Sequence, residues 1–112
     1  MAPQAVEYID GFQLQGLLNN YIGFDFYVFE DLDRLADSVQ RFVKSATGAK
    51  SFPGIELIKE QISDLRAPMV LMCKDGKVSA KVSRELTQNG FKNVYVVEKG
   101  WRGLEVFLES YS

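Results

Sequence analysis

Four consecutive apolar residues, Met69-Val70-Leu71-Met72, preceded by Pro68 and followed by the polar stretch Lys74 to Lys77, constrain this chain most. A strand with one wet face alternates apolar and polar side chains. A run without alternation marks a central strand covered on both faces, as in a parallel sheet flanked by helices. The remaining patterns supply such a sheet. Val6-Glu7-Tyr8-Ile9 alternates like a short strand, and Asp10 can then cap a helix carrying Phe12, Leu14, Leu17 and Leu18. Phe24 to Phe29 is an aromatic and β-branched run that predicts a buried strand. Asp31 can cap a helix with Leu32, Leu35, Ala36, Val39, Phe42 and Val43 on one face, and Gly48 marks its end.

Pro53-Gly54 is a turn signal, after which Ile55, Ile58, Ile62 and Leu65 recur at helical spacing. Ser79 to Asn89 predicts a helix with Gly90 at the position just past its end. Val94 to Val97 predicts a further strand, and Leu104 to Leu108 a short closing helix. Strands that alternate with helices imply an α/β fold with a central parallel sheet and helices on both faces. A length of 112 residues without repeats or linkers predicts a single domain over 1–112.

Composition removes several classes of function. With 46% hydrophobic and 25% charged residues the chain is expected to pack a core, for which eight Phe, five Tyr and one Trp are bulky material. A formal net charge of −2 provides no basic footprint, so neither nucleic acid nor a membrane surface is an expected partner. The chain has no His, which excludes Cys-His and Ser-His hydrolase schemes. One Cys cannot close an intramolecular disulfide and, without His, cannot build a zinc cluster. No metal is expected. The stretch Met1 to Asp10 lacks a secretory pattern, and the longest apolar stretch, Ala67 to Cys73, is far too short to cross a bilayer. A cytoplasmic location is the corresponding expectation.

In sheets of this kind ligands bind beyond the carboxyl ends of the strands. Met72-Cys73-Lys74-Asp75-Gly76-Lys77-Val78-Ser79 is such a strand-to-helix junction. A thiol there faces the unpaired N–H groups and positive dipole end of the next helix, which favours thiolate and accommodates an anion. Gly76 permits a tight turn. The plainer interpretation is a small buried apolar residue at a strand end, because free Cys is among the most buried residue types.

Cys73, Gly76 and Ser79, then Gly90-Phe91-Lys92-Asn93-Val94-Tyr95, then Gly100-Trp101, together resemble the rhodanese-like (sulfurtransferase) family. That family has an active-site loop of the type C-R-x-G-x-R-S, followed by a helix, a Gly-Phe-x-Asn-Val-Tyr-like segment and a Gly-Gly and Trp segment. Phe52-Pro53-Gly54 is similar to the family's Ile-Pro-Gly-Ala turn, and Val6 to Leu18 to its opening strand and helix. The resemblance implies a three-layer rhodanese-like fold. It also implies a Cys73 thiolate that takes sulfane sulfur from a small anionic donor such as thiosulfate. The resulting persulfide is passed to a thiol or other thiophilic acceptor, small or protein-borne, with no cofactor. Lys74, Asp75, Gly76, Lys77, Val78 and Ser79 are the implied substrate-binding loop, with the two lysines drawing the anion and the backbone amides holding it.

Several positions depart from the family pattern. The two loop arginines fall on Lys74 and Val78, so one cation survives as a point charge and the other is lost. Asp75 adds a negative charge, and the family's Asp-x-Arg and its His before the Pro-Gly turn have no counterpart. These departures imply an enzyme weak toward thiosulfate, or else a catalytically silent module that regulates or docks a partner. A cysteine phosphatase, one group of which shares this fold, requires an Arg six positions after the Cys in a loop one residue longer. Val78 and Ser79 stand at the fifth and sixth positions, and neither clamps a phosphate bidentately.

Three other features have bland alternatives. Glu30, Asp31 and Asp33 form an acidic cluster that fits a helix cap and solvated first turn better than a metal or acid–base site. Tyr95, Trp101 and Tyr111 fit core aromatics better than a stacking platform. Gly11 with Gly16, and Gly100 with Gly103, lack the spacing of a dinucleotide fingerprint.

Overall fold

Met69, Val70, Leu71 and Met72 are all 0% exposed, as a strand between two layers must be. The computed structural model describes residues 6–19, 24–45 and 49–111. Five strands, β1 (Glu7–Ile9), β2 (Asp25–Val28), β3 (Ala49–Ser51), β4 (Met69–Met72) and β5 (Val94–Val97), form one sheet in the order β1-β5-β4-β2-β3. Every pairing is parallel, with Leu71 of β4 opposite Tyr27 on one side and Val96 on the other.

Helices α1 (Gly11–Asn19), α2 (Asp37–Ser45) and α5 (Gly100–Tyr111) cover one face of the sheet. There Leu14, Val39, Val43 and Leu104 pack on Phe26, Val28, Val70, Met72 and Val97. Helices α3 (Ile55–Gln61) and α4 (Lys77–Gln88) cover the other, with Ile58 and Leu86 on Tyr27, Met69, Leu71 and Val94. Neighbouring strand residues thus serve opposite layers, at roughly 1.5–3 kcal/mol for each large side chain buried. This is the expected three-layer α/β fold.

Local chemistry explains the element ends. Asp10 accepts the Gln13 N–H at 2.8 Å and the Gln13 side-chain oxygen accepts the Asp10 N–H at 2.9 Å, a reciprocal cap at the start of α1. Gly11 follows, where an added Cβ would lie 2.4 Å from the Phe107 ring, so α1 and α5 approach through a position that tolerates no side chain. At the far end of α4, Gly90 takes φ 98, the left-handed conformation that closes a helix.

The elements differ from expectation at several points. The helix predicted from Asp31 is broken. Asp31 caps only a 3₁₀ turn over Leu32–Arg34, accepting from the Asp33 N–H, and α2 begins afresh at Asp37. Leu35 between them is extended, with φ −72 and ψ 153, which lets its buried side chain and the α2 stripe reach the sheet from different angles. Gly48, the expected helix end, lies outside the described residues. Edge strand β3 is absent from the pattern, because Ala49-Lys50-Ser51 is short, polar and mostly exposed. Helix α4 begins at Lys77 rather than Ser79, with Gly76 as its cap, and α5 begins at Gly100 rather than Leu104.

The acidic cluster is accounted for locally. Glu30 accepts the Asp31 N–H at 2.9 Å, and Asp33 pairs with Lys44 at 3.5 Å. Tyr95 and Trp101 are half-buried against the first layer. The Tyr111 side chain lies outside the described residues.

Tyr27 is the exception in a well-satisfied interior. Its ring is fully buried, edge-on to Phe52 at 6.0 Å and with Lys50 Nζ 5.3 Å away, yet its hydroxyl has no partner among the described residues. Burial, and secondarily the charge of Asp25, push its pKa upward, so the hydroxyl stays protonated. An unpartnered buried hydroxyl costs about 1–3 kcal/mol. Tyr27→Phe is therefore expected to stabilise the fold by about 1 kcal/mol, read as a higher urea midpoint at unchanged m-value.

Candidate functional site

Strand β4 ends at Met72, and the next residue, Cys73, stands at the carboxyl edge of the sheet with only 3% of its surface exposed. The β4 chain continues into α4 on one face and the β5 chain into α5 on the other, so the Cys73 loop lies where the chain leaves neighbouring strands toward opposite faces of the sheet. Gly76 reverses the chain with φ 92 and ψ −8, a conformation open to glycine at no steric cost. An added Cβ there would meet the Lys99 nitrogen at 3.4 Å.

The turn aims amides at the sulfur. Cys73 Sγ accepts the Gly76 N–H at 3.1 Å and the Ser79 N–H at 3.3 Å. The Ser79 hydroxyl lies 3.2 Å from the same sulfur and 3.3 Å from the Gly76 carbonyl oxygen. One hydroxyl proton cannot serve both acceptors. With a thiol, S–H donates to Ser79 Oγ and the hydroxyl donates to Gly76. With a thiolate, the hydroxyl turns to the sulfur.

Burial pushes the Cys73 pKa up, and it is the largest single influence. The Ser79 hydroxyl, then the backbone N–H groups of Ser79, Asp75 and Gly76, act together in the opposite direction and prevail, leaving the thiol below its ordinary value. A cysteine serving only as core filler has no such donors around it.

Of the loop residues singled out in the sequence, the fold brings Cys73, Gly76 and Ser79 together in the interior and leaves Lys74, Asp75, Lys77 and Val78 exposed around them. Asp75 folds back, its carboxylate accepting the Lys77 N–H at 3.0 Å, so it occupies one loop amide. The N–H groups of Lys74 and Val78 find no protein acceptor among the described residues.

A second support, to which sequence reasoning assigned no role, comes from α5. The Trp101 N–H donates to the Cys73 carbonyl at 2.9 Å and the Arg102 N–H to the Lys74 carbonyl at 3.3 Å. These bonds hold the first two loop carbonyls on α5. Gly100 makes the approach possible, since a Cβ there would sit 1.9 Å from the Cys73 oxygen. Lys99 beside it takes φ 60, unusual for a residue with a side chain. The signal available in the sequence was the Gly100-Trp101 pair.

Among the described residues no group of three or more Cys, Asp or Glu side chains is arranged to hold a metal, and no helix is long and apolar enough to cross a membrane.

Comparison with known proteins agrees with this architecture. Residues 31–105 match the family described as Rhodanese-like domain, a span that contains the whole Cys73 loop. No curated protein sequence matches the chain. Among solved structures, the reduced Bacillus anthracis CoADR-RHD superposes with a TM-score of 0.66 at 14% identity over 94% of this chain, which spans only 17% of that one. The polysulfide-sulfur transferase homodimer of Wolinella succinogenes gives 0.65 at 20% identity, covering 91% of this chain and 75% of that one. A rhodanese-like domain from an Anabaena sp. protein gives 0.63 at 14% identity, covering 100% and 85%. At such identities these likenesses speak to fold.

The thiol's surroundings predict a pH profile. Iodoacetamide attacks the thiolate, so the alkylation rate climbs as pH rises through the Cys73 pKa. The wild-type inflection is expected below that of an unperturbed thiol, about 8.5. Ser79→Ala removes the hydroxyl donor, moves the inflection upward and slows alkylation at neutral pH, while Ser79→Thr restores it. An unchanged inflection in the alanine variant would show that the hydroxyl does not stabilise the thiolate.

Proposed function

The chain belongs to the rhodanese-like domain family, and from that we propose that it is a sulfurtransferase carrying sulfane sulfur as a persulfide on Cys73. The observation that carries this reading is the set of donors converging on one sulfur atom, two backbone N–H groups at 3.1 and 3.3 Å and a hydroxyl at 3.2 Å. Such donors stabilise negative charge without reorganising during the reaction.

With thiosulfate, the Cys73 thiolate attacks the outer sulfur, the donor's S–S bond breaks, and sulfite leaves with the electron pair. The persulfide's terminal sulfur is then attacked by a thiophilic acceptor, and the pair in the new S–S bond returns to Cys73 as thiolate. The cycle is redox-neutral and needs no cofactor. Lys74 and Lys77 draw the anionic donor. The free amides of Lys74 and Val78 are the donors left for it.

A silent docking module is the second reading, favoured by two observations. Asp75 spends its carboxylate on a loop amide, and Val78, 53% exposed at the mouth, offers no side-chain donor.

Incubation with thiosulfate or polysulfide is expected to place one cyanide-removable sulfur on Cys73, seen by intact mass and absent from Cys73→Ser. A protein that never loads sulfur from either donor is the silent module.

Val78→Arg tests what limits turnover. The exposed position accommodates a long side chain without disturbing the core. It is expected to raise kcat/KM for thiosulfate by about tenfold, less than a fully preorganised donor because nothing fixes the new side chain. An unchanged rate in the folded variant would mean that thiosulfate is not the donor this loop is shaped for, or that the module is a non-catalytic adaptor.

A further inference from the structure

The charges of this chain are segregated. Residues 74–102 hold seven of the thirteen Lys and Arg but three of the fifteen Asp and Glu, so this segment is net positive inside a chain of net charge −2. On α4 the segregation becomes a line. Lys77, Lys81 and Arg84 recur at helical spacing and all are exposed, opposite the buried Ser79, Ala80, Ser83 and Leu86. The line runs about 11 Å along the helix from the Cys73 loop. Lys74, Lys99 and Arg102, also exposed, extend it around the loop, where the Arg102 N–H meets the Lys74 carbonyl. None of these six cations has a carboxylate within ion-pair distance, the one ion pair among the described residues being Lys44–Asp33 on another helix.

We propose that the outer face of α4 is a docking surface for an acidic protein partner, which reaches the Cys73 loop along Lys77, Lys81 and Arg84. Unpaired cations in a row cost self-repulsion that a negative surface relieves, and such complementarity acts mainly through encounter rate and orientation. Val78, exposed at the loop end of the same helix, adds an apolar contact suited to a protein rather than to a phosphate backbone. A nucleic acid fits less well, because the rest of the chain is acidic and repels an extended phosphate backbone.

The chemical consequence rests on the sulfurtransferase reading. The docked partner is the acceptor. Its cysteine thiolate attacks the outer sulfur of the Cys73 persulfide, the S–S bond breaks, Cys73 leaves as thiolate, and the partner departs as the persulfide. No oxidant or reductant enters.

Docking is tested apart from sulfur chemistry. A fluorescent Glu-rich peptide with a central serine, and its Gln counterpart, are titrated into Cys73→Ser protein. The Glu peptide is expected to bind about tenfold tighter at about 0.02 M salt and to lose that advantage at about 0.5 M, where the Debye length shrinks to roughly 4 Å. Lys81→Glu with Arg84→Glu, remote from the loop, is expected to abolish the preference while the circular dichroism spectrum is unchanged. Equal binding of the two peptides, or indifference to the double reversal, overturns the proposal. Tighter binding of a single-stranded oligonucleotide of equal charge overturns the assignment to a protein. In a second arm, persulfide-loaded wild type is offered versions of the two peptides with cysteine in place of the central serine. Faster transfer to the Glu peptide, lost in the double variant while the cyanide rate stays unchanged, supports the acceptor role. Failure of Cys73 to load sulfur defeats the sulfurtransferase reading and leaves the peptide binding to stand by itself.

Discussion

The β4 backbone lies between two layers of side chains with no water to serve its polar groups, so every N–H and C=O must be taken by a neighbouring strand. Strands β2 and β5 do this from opposite sides. Because both pairings are parallel, each needs a crossover helix, and the sheet acquires both of its covers from that requirement. The ladder must also end somewhere. Where it ends, at Cys73, the loop carbonyls pass to α5 and the loop amides turn to a sulfur atom. The candidate site is therefore the place where a fully paired strand hands its polar groups over to other acceptors and donors.

Legibility in the sequence followed how much of an element's role lies in its own side chains. Met69 to Met72 announced itself because burial on both faces leaves no polar position. The Asp10 cap and Gly90 were legible because each satisfies a local backbone need. Strand β3 was not, since Ala49-Lys50-Ser51 is held by one neighbour, β2, and carries no apolar signature. The break at Leu35 was hidden for a related reason. A helical apolar stripe and a 3₁₀ turn followed by a shorter helix place Leu35, Val39 and Val43 on the same core. Within the candidate site, Cys73, Gly76 and Ser79 were readable from their place at a strand-to-helix junction together with the family resemblance. The contribution of α5 was not, because it is made by backbone amides, and in residue identity only the bare Gly100 at the close approach marks it.

The same division separates two electrostatic tasks. Stabilising charge on sulfur is assigned to dipoles held in place by the loop, and their effect is strong because the atom is buried. On the sulfurtransferase reading, attracting a negatively charged reactant falls to exposed lysines, whose fields are screened by salt and whose positions are loose. A loop with Lys74 and Val78 in place of guanidinium groups keeps the first task intact and weakens the second. On the sulfurtransferase reading, the sulfur can be well activated in a site that recognises small anions poorly.

Helix α5 carries a mechanical consequence. At its amino end it grips the carbonyls of Cys73 and Lys74, and further along the Phe107 ring lies against the bare backbone of Gly11 in α1. The thiol loop and the first helix are thus fastened to one rigid rod. The segment matching the family begins only at residue 31, so α1 lies outside it. Even so, α1 helps determine where that rod sits. A substitution that displaces α1 can therefore shift the foundation of the loop without touching any residue that surrounds the sulfur.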